Sequence, residues 1–448
     1  MAAAAIILAA GKGTRMKSRL PKVLHPLASR PMVLHVLDAA RRARFARAVV
    51  VVGPGMEAVA RAVAPAETVV QAEQLGTGHA VLQARDALKG FAGEAVVLFG
   101  DTPLLTAATI KRTLAALRRG ASVAVLGFEP KDPAAYGRLV LAKDGALERI
   151  VEFKDASPAE RAIRLCNSGV LAANARLLFE LLSKVKNDNA KGEYYLTDVV
   201  GLARARGLRC AVARADEAEL MGVNARVELA EAEAAIQARL RRAAMAAGVS
   251  MADPSSVHLS WDTKLGRDVR LGPHVVFGPG VRVADDVEIR AYCHLEGARV
   301  ASGAVIGPFA RLRPGAVVGR GAHVGNFVEM KQASLGPGAK ANHLSYLGDA
   351  SVGAGANVGA GTITCNYDGF LKSRTEIGAG AFIGSNTALV APVKVGRGAI
   401  VGAGSVITKD VPADALAVER AEQRMVKGYA RAYRARKAAE KARKKKDG

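Results

Sequence analysis

After Ser250 the chain repeats every six residues. Leu265, Leu271, Phe277, Val283, Ile289 and Leu295 are spaced by six. After a one-residue slip the period resumes at Val300, Ile306, Leu312, Val318, Val324 and Met330. It slips again to Leu335, Ala341 and Leu347, then to Val352 and Val358, and ends in Ile377, Ile383, Leu389, Val395, Val401 and Ile407. An amphipathic helix repeats near 3.6 residues and a coiled coil near 3.5, so neither produces this spacing. Hexapeptide repeats indicate a solenoid whose short strands turn after each inward aliphatic side chain. The long interruption from Thr362 to Glu376 is expected to loop out of the solenoid, and loops on rigid scaffolds often carry function.

The first half follows a different rhythm. Ala5-Ile6-Ile7-Leu8 runs into Gly11–Thr14, Ala48–Val52 into Gly53-Pro54-Gly55, and Ala95–Phe99 into Gly100-Asp101. Continuous apolar runs ending in glycine turns predict buried parallel strands with crossover helices, an α/β arrangement. Open α/β sheets bind ligands beyond the carboxyl ends of their strands, so these turns are the place to look for chemistry. The Ala/Glu/Arg-rich stretch from Ala225 to Ala247 has no internal Gly or Pro, and Gly248 stands where a cap would fall. It reads as a long connecting helix.

Several classes are excluded early. The four cysteines among 448 residues, Cys166, Cys210, Cys293 and Cys365, form no CxxC or Cys/His cluster, against a disulfide scaffold or structural zinc. The opening MAAAAIILAAGKG imitates a signal peptide but lacks a basic n-region, and no apolar run reaches membrane-spanning length. A cytoplasmic protein without a membrane span is expected. The net charge is +23, yet aromatic content is 4%, which leaves few stacking platforms for single-stranded nucleic acid. Nucleic acid is therefore not the expected partner. Arg434 to Gly448 carries eight Lys or Arg against two acids. It reads as a solvated tail, with electrostatic contact to RNA or to anionic membrane as the alternative.

Candidate chemistry is concentrated in a few positions. Gly11 and Gly13 permit close backbone approach to phosphates at a helix N-terminus, while Arg15 and Lys22 supply cations. The G-x4-G-K-[ST] spacing of a Walker A loop is absent. Asp101 ends a predicted buried strand and offers a hard oxygen to a divalent cation, with Asn224 able to complete the site. Taken alone, Asp101 could equally cap a helix beginning near Pro103. Histidines on a solenoid are usually exposed bystanders, which is the reading of His274, His294 and His323. His79 is structural or ligand-adjacent.

The turn LAAGKGTRM (Leu8–Met16) with Lys22 resembles the signature of sugar-phosphate nucleotidyltransferases. QAEQLGTGHA, FGD, YGR, VEFKDA, NSGV and GVNAR continue the match in order. In the second half ARLRPGA, HVGNFVEMK, NHLSYLGDA and NVGAGTITCNYDG follow. Both sets together resemble the bacterial bifunctional UDP-N-acetylglucosamine pyrophosphorylase/glucosamine-1-phosphate N-acetyltransferase family, over roughly residues 1 to 420.

The resemblance implies a Rossmann-like uridylyltransferase domain at 1–224, a linker helix at 225–250, a left-handed parallel β-helix with acetyltransferase activity at 251–420, and a basic tail at 421–448. It implies acetylation of glucosamine-1-phosphate by acetyl-CoA, then transfer of UMP from UTP to N-acetylglucosamine-1-phosphate, supplying peptidoglycan and lipopolysaccharide precursors. Mg²⁺ would be held by Asp101 and Asn224. Leu8, Ala9, Ala10, Gly11, Gln71, Gly76 and Thr77 would hold the uridine, with Lys22, Phe99, Gly100 and Asp101 nearby. Gly137, Glu152, Asn167 and Asn224 would contact the sugar. Lys22 and Arg15 serve uridylyl transfer.

In the other half His343 would be the catalytic base and Glu329 its orienting carboxylate. Arg313, Lys331 and Lys372 would take the sugar phosphate, with Tyr346 and Asn357 on the sugar. Acetyl-CoA would meet Ala360, Asn366, Tyr367, Ser385, Ala403 and Arg420, drawn from neighbouring subunits of a homotrimer. Two departures stand out: Phe99 where Tyr often precedes Gly-Asp, and Ala225 where a polar residue is usual. A different sugar-1-phosphate nucleotidyltransferase with a non-catalytic β-helix is the alternative. It would lack NHLSYLGD and CNYDG. A non-enzymatic regulatory subunit of this architecture would lose Lys22, Asp101 or His343.

Overall fold

The computed structural model describes residues 2–133, 136–189 and 191–445. Met1 and the last three residues of the basic tail lie outside them. The chain divides into two compact units, one formed mainly by Met1–Ala247 and the other mainly by Lys264–Val276 and Gly280–Gly448.

The first unit is built on one large sheet. Its strands are β1 (Ala3–Leu8), β2 (Arg47–Val52), β3 (Glu67–Val70), β4 (Glu94–Phe99), β5 (Val123–Phe128), β6 (Arg138–Leu141), β7 (Leu147–Val151), β8 (Cys166–Asn174) and β9 (Cys210–Arg214). The order is β9-β5-β8-β4-β1-β2-β3. β1 pairs in parallel with both β2 and β4, and Ala4–Ile7 are wholly buried between helices on the two faces. This is why β1, β2 and β4 read as unbroken apolar runs. The opening stretch that imitates a signal peptide is the central strand.

The sheet departs from an all-parallel reading in one place. β8 runs antiparallel to both β4 and β5, and the β6–β7 hairpin joins it at Cys166–Arg138. Periodicity could not show this, because a buried strand has the same composition in either direction. β8 also carries a bulge between Asn167 and Leu171, which bends the strand and re-aims its side chains. The helix Arg226–Ala246 buries Ala232 and Ile236 against Leu27, Met32 and Leu104 of the same unit. Gly248, at φ +101°, follows its end.

The second unit is a solenoid of two- to four-residue strands that form parallel sheets of ten, eight and eight strands. Each coil lays its inward aliphatic on that of the coil before, as Ile289 on Leu271, Ile306 on Ile289 and Val324 on Ile306. The slips of the period are coils shorter by one residue at a corner. The interruption at Thr362–Glu376 is smaller than the period suggests. Ile363–Cys365 and Thr375–Ile377 are strands of the solenoid, and only 366–374 leaves it. Thr364 takes the inward position and is fully buried. Its hydroxyl donates to Gly348 O at 3.0 Å and accepts from Gly348 N at 2.8 Å, so the polar group is satisfied inside the core.

Replacing Thr364 with Val keeps the shape but leaves the Gly348 N–H unpaired, a loss of about 1–3 kcal/mol. The urea midpoint of the solenoid's unfolding is expected to fall accordingly, while the first unit's transition stays put. An unchanged midpoint would show that the hydroxyl contributes nothing.

Candidate functional sites

The first site lies at the carboxyl ends of β1, β3 and β4. A cavity of ≈ 420 Å³ is lined by Leu8, Ala9, Ala10, Gly11, Arg15, Lys22, Gln71, Gly76, Thr77, Phe99, Asp101 and Asn224. Twelve expected residues thus converge here; Gly100 lies behind the lining, its amide donating to Leu8 O at 2.9 Å. Three segments far apart in sequence meet at Lys22. Its ammonium donates to the Asp101 carboxylate and to Asn224 Oδ1 at 3.1 Å. Val223 N donates to Asp101 O at 2.9 Å, which holds the Asn224 segment against the end of β4. Asp101 does not cap a helix: the helix after it starts at Ala107 with Thr106 as its cap.

The glycine turn differs from expectation in detail. Thr14–Met16 is a single 3-10 turn rather than an α-helix N-terminus. Gly13 has φ +60° and its missing Cβ would stand 2.6 Å from Lys22 Cβ, so a side chain here would displace the lysine. Gly11 has open space around it. Gln74, not singled out from the sequence, donates to Ala10 O and fastens this turn.

Gln71 is buried and donates to Gly76 O at 3.1 Å and lies 3.2 Å from His79 Nδ1. His79 is therefore bound to its neighbours, Gln71 and Gln83, as a support for the loop. Gly76, at φ +104°, and Gly78 let the backbone of Tyr194 cross within hydrogen-bonding distance, with Gly78 N to Tyr194 O at 2.8 Å. Thr77 Oγ1 accepts from Leu196 N at 3.1 Å.

A second cavity of ≈ 290 Å³ shares Thr77, Phe99 and Glu193 with the first. It contains the expected sugar residues Gly137, Glu152 and Asn167. Asn167, paired with Gly127 at the edge of the β8 bulge, accepts at Oδ1 from Gly169 N at 3.0 Å. Gly169 lies under the Phe99 ring, where a Cβ would approach to 2.6 Å. Tyr195 and Thr197 also line this cavity. They lie in the YYLTD run, a signal overlooked because its polar residues share no spacing with the glycine turns. Burial raises the Glu152 carboxyl above the ordinary carboxylate range, against the opposing pull of Lys191.

The solenoid site is organised as columns. Successive coils stack Asn326, His343, Ala360, Ser385 and Ala403 at one corner: Leu344 N donates to Asn326 O, Gly361 N to His343 O, Asn386 N to Ala360 O and Gly404 N to Ser385 O. The expected base and three expected acetyl-CoA residues thus share one line. Arg420 Nη1 donates to Ala403 O at 2.8 Å at its far end. Gly359 and Gly384 keep the line tight, since a Cβ on either would press on the next coil's backbone at 2.6 and 2.4 Å.

His343 Nδ1 lies 2.8 Å from Asn326 Oδ1. An amide oxygen only accepts, so Nδ1 carries the proton and the Nε2 lone pair is left for a substrate. The expectation that Glu329 orients His343 is not met within the chain. Glu329 accepts from Arg313 Nη1 at 2.9 Å, because its strand pairs with Arg311 and Tyr346 rather than with the His343 strand.

Arg313, Lys331 and Lys372 do come together. Lys372 beside it, by hydrogen bond and by charge, holds the Lys331 ammonium below the ordinary lysine range, with Arg313 adding to the effect. Tyr346 and Glu329 are paired on adjacent strands, and Asn357 pairs with Lys340. Asn366 donates to the Asp349 carboxylate, and Tyr367 is exposed in the 366–374 loop. Among the described residues no cluster of three His, Cys, Asp or Glu side chains could hold a metal, and no helix is long and apolar enough to cross a membrane.

Residues 5–170 match the MobA-like NTP transferase domain family, and residues 374–409 the bacterial transferase hexapeptide (six repeats) family. A protein of Paramagnetospirillum magneticum named bifunctional protein GlmU is 63% identical over 98% of this chain and 98% of its own. A protein of the same name from Azorhizobium caulinodans is 58% identical over 96% of this chain and 97% of its own. A solved UDP-glucose pyrophosphorylase in complex with UDP-glucose aligns with 53% of this chain and 100% of its own, at 19% identity and a TM-score of 0.43.

Because its pKa is raised on folding, Glu152 contributes full stability below the ordinary carboxylate pKa and loses it as pH rises through the raised value. Glu152→Gln is therefore expected to melt higher than the parent at pH 8 and to lose that advantage toward pH 4. Thermal scans across this range check it; a difference independent of pH would place the carboxylate in an unstrained setting.

Proposed function

The chain belongs to the bifunctional GlmU family, and from that premise we propose which of its side chains carry each of its two reactions. It is an enzyme of UDP-N-acetylglucosamine biosynthesis that joins a nucleotidyltransferase to a hexapeptide-repeat acetyltransferase. Uridylyl transfer is assigned to residues 1–224 and acetyl transfer to 251–420, joined by the 225–250 segment that contains the helix Arg226–Ala246. The cytoplasm is the proposed location, consistent with the nucleotide and thioester substrates.

The observation that carries the first assignment is the convergence of Lys22, Asp101 and Asn224. In the reaction, a phosphate oxygen of N-acetylglucosamine-1-phosphate forms a bond to the α-phosphorus of UTP while the bond to pyrophosphate breaks. Positioning and charge neutralisation dominate such a transfer. Arg15 and Lys22 supply positive charge at the mouth of the turn, and the backbone of Leu8–Gly11 with Gln71, Gly76 and Thr77 receives the uridine. Glu152, Asn167 and Gly137 hold the sugar in the adjoining cavity.

The donor set also suits Mg²⁺. Two hard oxygens, one anionic, already face a single cation, the Lys22 ammonium, and two protein ligands leave room for phosphate oxygens and water. When bound, Mg²⁺ would neutralise charge on the phosphates. Phe99 and Ala225 remove neither oxygen.

For acetyl transfer we assign His343 as general base. Nε2 takes a proton from the amine of glucosamine-1-phosphate, whose nitrogen bonds to the acetyl carbon as the C–S bond to coenzyme A breaks. Arg313, Lys331 and Lys372 take the phosphate, and Tyr346 and Asn357 the sugar. Ala360, Ser385, Ala403 and Arg420, on the His343 column, present backbone and cationic groups to acetyl-CoA, with Asn366 and Tyr367 reaching from the loop. Glu329 steadies Arg313, and Asn326 takes the orienting part. A homotrimer is the proposed assembly. Supporting it, His274, Tyr292, Phe309 and Phe327 stack at 4.8–5.1 Å as an exposed apolar seam on the column beside His343, suited to a second copy.

Asp101→Ala is expected to lower uridylyl transfer at least about 10²-fold and to leave acetyl transfer intact. Retention of full uridylyl transfer by the variant, or by the parent in excess EDTA, would refute the metal assignment.

His343→Ala should lower acetyl transfer by about 10²- to 10⁴-fold with uridylyl transfer unchanged. Asn326→Ala should cost less than His343→Ala but more than Glu329→Gln on the pH step of the acetyl-transfer rate, since only Asn326 sets the tautomer. A Glu329 variant that alone abolishes that step would return the orienting role to the carboxylate.

A further inference from the structure

The segment from Arg424 to Lys445 belongs to neither assigned site. It carries ten Lys or Arg, and Glu440 is its one acid. Tyr429–Lys444 forms a helix of 16 residues, and none of its side chains is buried. Arg431, Arg434, Lys437, Lys441 and Lys444 recur at steps of three and four, which sets them along one side of the helix. Glu440 pairs with Lys437 at 2.8 Å and with Lys444 at 3.7 Å, offsetting one charge of that stripe. Just before the helix Met425 and Val426 are 84% and 72% exposed, and Tyr429 and Tyr433 stack beside them with rings 6.0 Å apart.

A merely solvated helix accounts for the charge but not for the cluster of exposed aliphatic and aromatic side chains at its start. Phosphate oxygens of RNA would engage the basic stripe, yet Met425 and Val426 have no planar face on which a base could stack. An anionic bilayer uses both features. Its phosphates attract the basic stripe, and its headgroup layer accepts short apolar side chains and tyrosine rings. We propose that Arg424–Lys445 is a docking surface for an anionic phospholipid bilayer, which would hold the enzyme at a membrane face without a span. The proposal is independent of the residue assignments for either reaction.

Sedimentation of the full chain with vesicles tests it. The protein is expected to sediment with phosphatidylcholine vesicles containing about 30% phosphatidylglycerol, to stay in solution with pure phosphatidylcholine, and to be released by roughly 0.5 M salt. R434Q/K441Q should weaken binding about fivefold per charge removed. M425S/V426S should also weaken it, although its charge is unchanged. Both variants should keep uridylyl transfer at the parent rate, which verifies that they fold. Equal sedimentation with both vesicle types would overturn the proposal. So would parent-like vesicle binding by M425S/V426S, or release of the protein from vesicles by poly(U), which would identify RNA as the preferred polyanion.

Discussion

Each coil of the solenoid satisfies its backbone by bonding to the coil before it, and this one requirement organises the acetyl-transfer site. Because N–H and C=O groups pair from coil to coil, residues one turn apart are stacked within hydrogen-bonding distance whatever their side chains. A column of equivalent corner positions is therefore a ready-made line of functional groups. Asn326, His343, Ala360, Ser385 and Ala403 occupy such a line, and Arg420 closes it. Glycine at 359 and 384 keeps the spacing, since any larger residue would force the coils apart.

The nucleotidyl site depends on a different economy of the backbone. Parallel strands release their chains at one edge of the sheet, so the turns after β1, β3 and β4 are brought together there. The cation of Lys22 then binds segments that the sheet alone would leave apart: the end of β4 through Asp101 and the 224 segment through its amide. The bulge in β8 begins just beyond Asn167, which lines the sugar cavity, and within it Gly169 makes room for Phe99. Both sites thus rest on backbone geometry first, with a few polar side chains placed upon it.

Much of this was legible in the residues themselves. A period of six has one structural solution, and an apolar run with a glycine turn at its end locates both a buried strand and a ligand edge. The glycine turn, Asp101 and Asn224 were identifiable as candidates from their chemistry, the sugar residues only through the family resemblance, and they share two adjoining cavities. The extent of the 366–374 loop was not legible, because Thr364 fills an inward position that aliphatic periodicity marks as empty. Its hydroxyl is acceptable there only through Gly348, a partner 16 residues away.

The sequence by itself determined the repeat, the two kinds of unit and the residue types available to each reaction, since these follow from local spacing and side-chain chemistry. Only the tertiary structure decided partnerships. Asn326 and His343 are 17 residues apart, and whether they meet depends on the length of one coil, which varies by a residue at the slips. Glu329 lies nearer to His343 in sequence, yet its strand belongs to another sheet and directs it to Arg313. The antiparallel course of β8 is likewise invisible in its composition, because burial selects the same side chains in either direction. Contacts between residues distant in the chain are set by the register of backbone pairing, and no local pattern encodes that register.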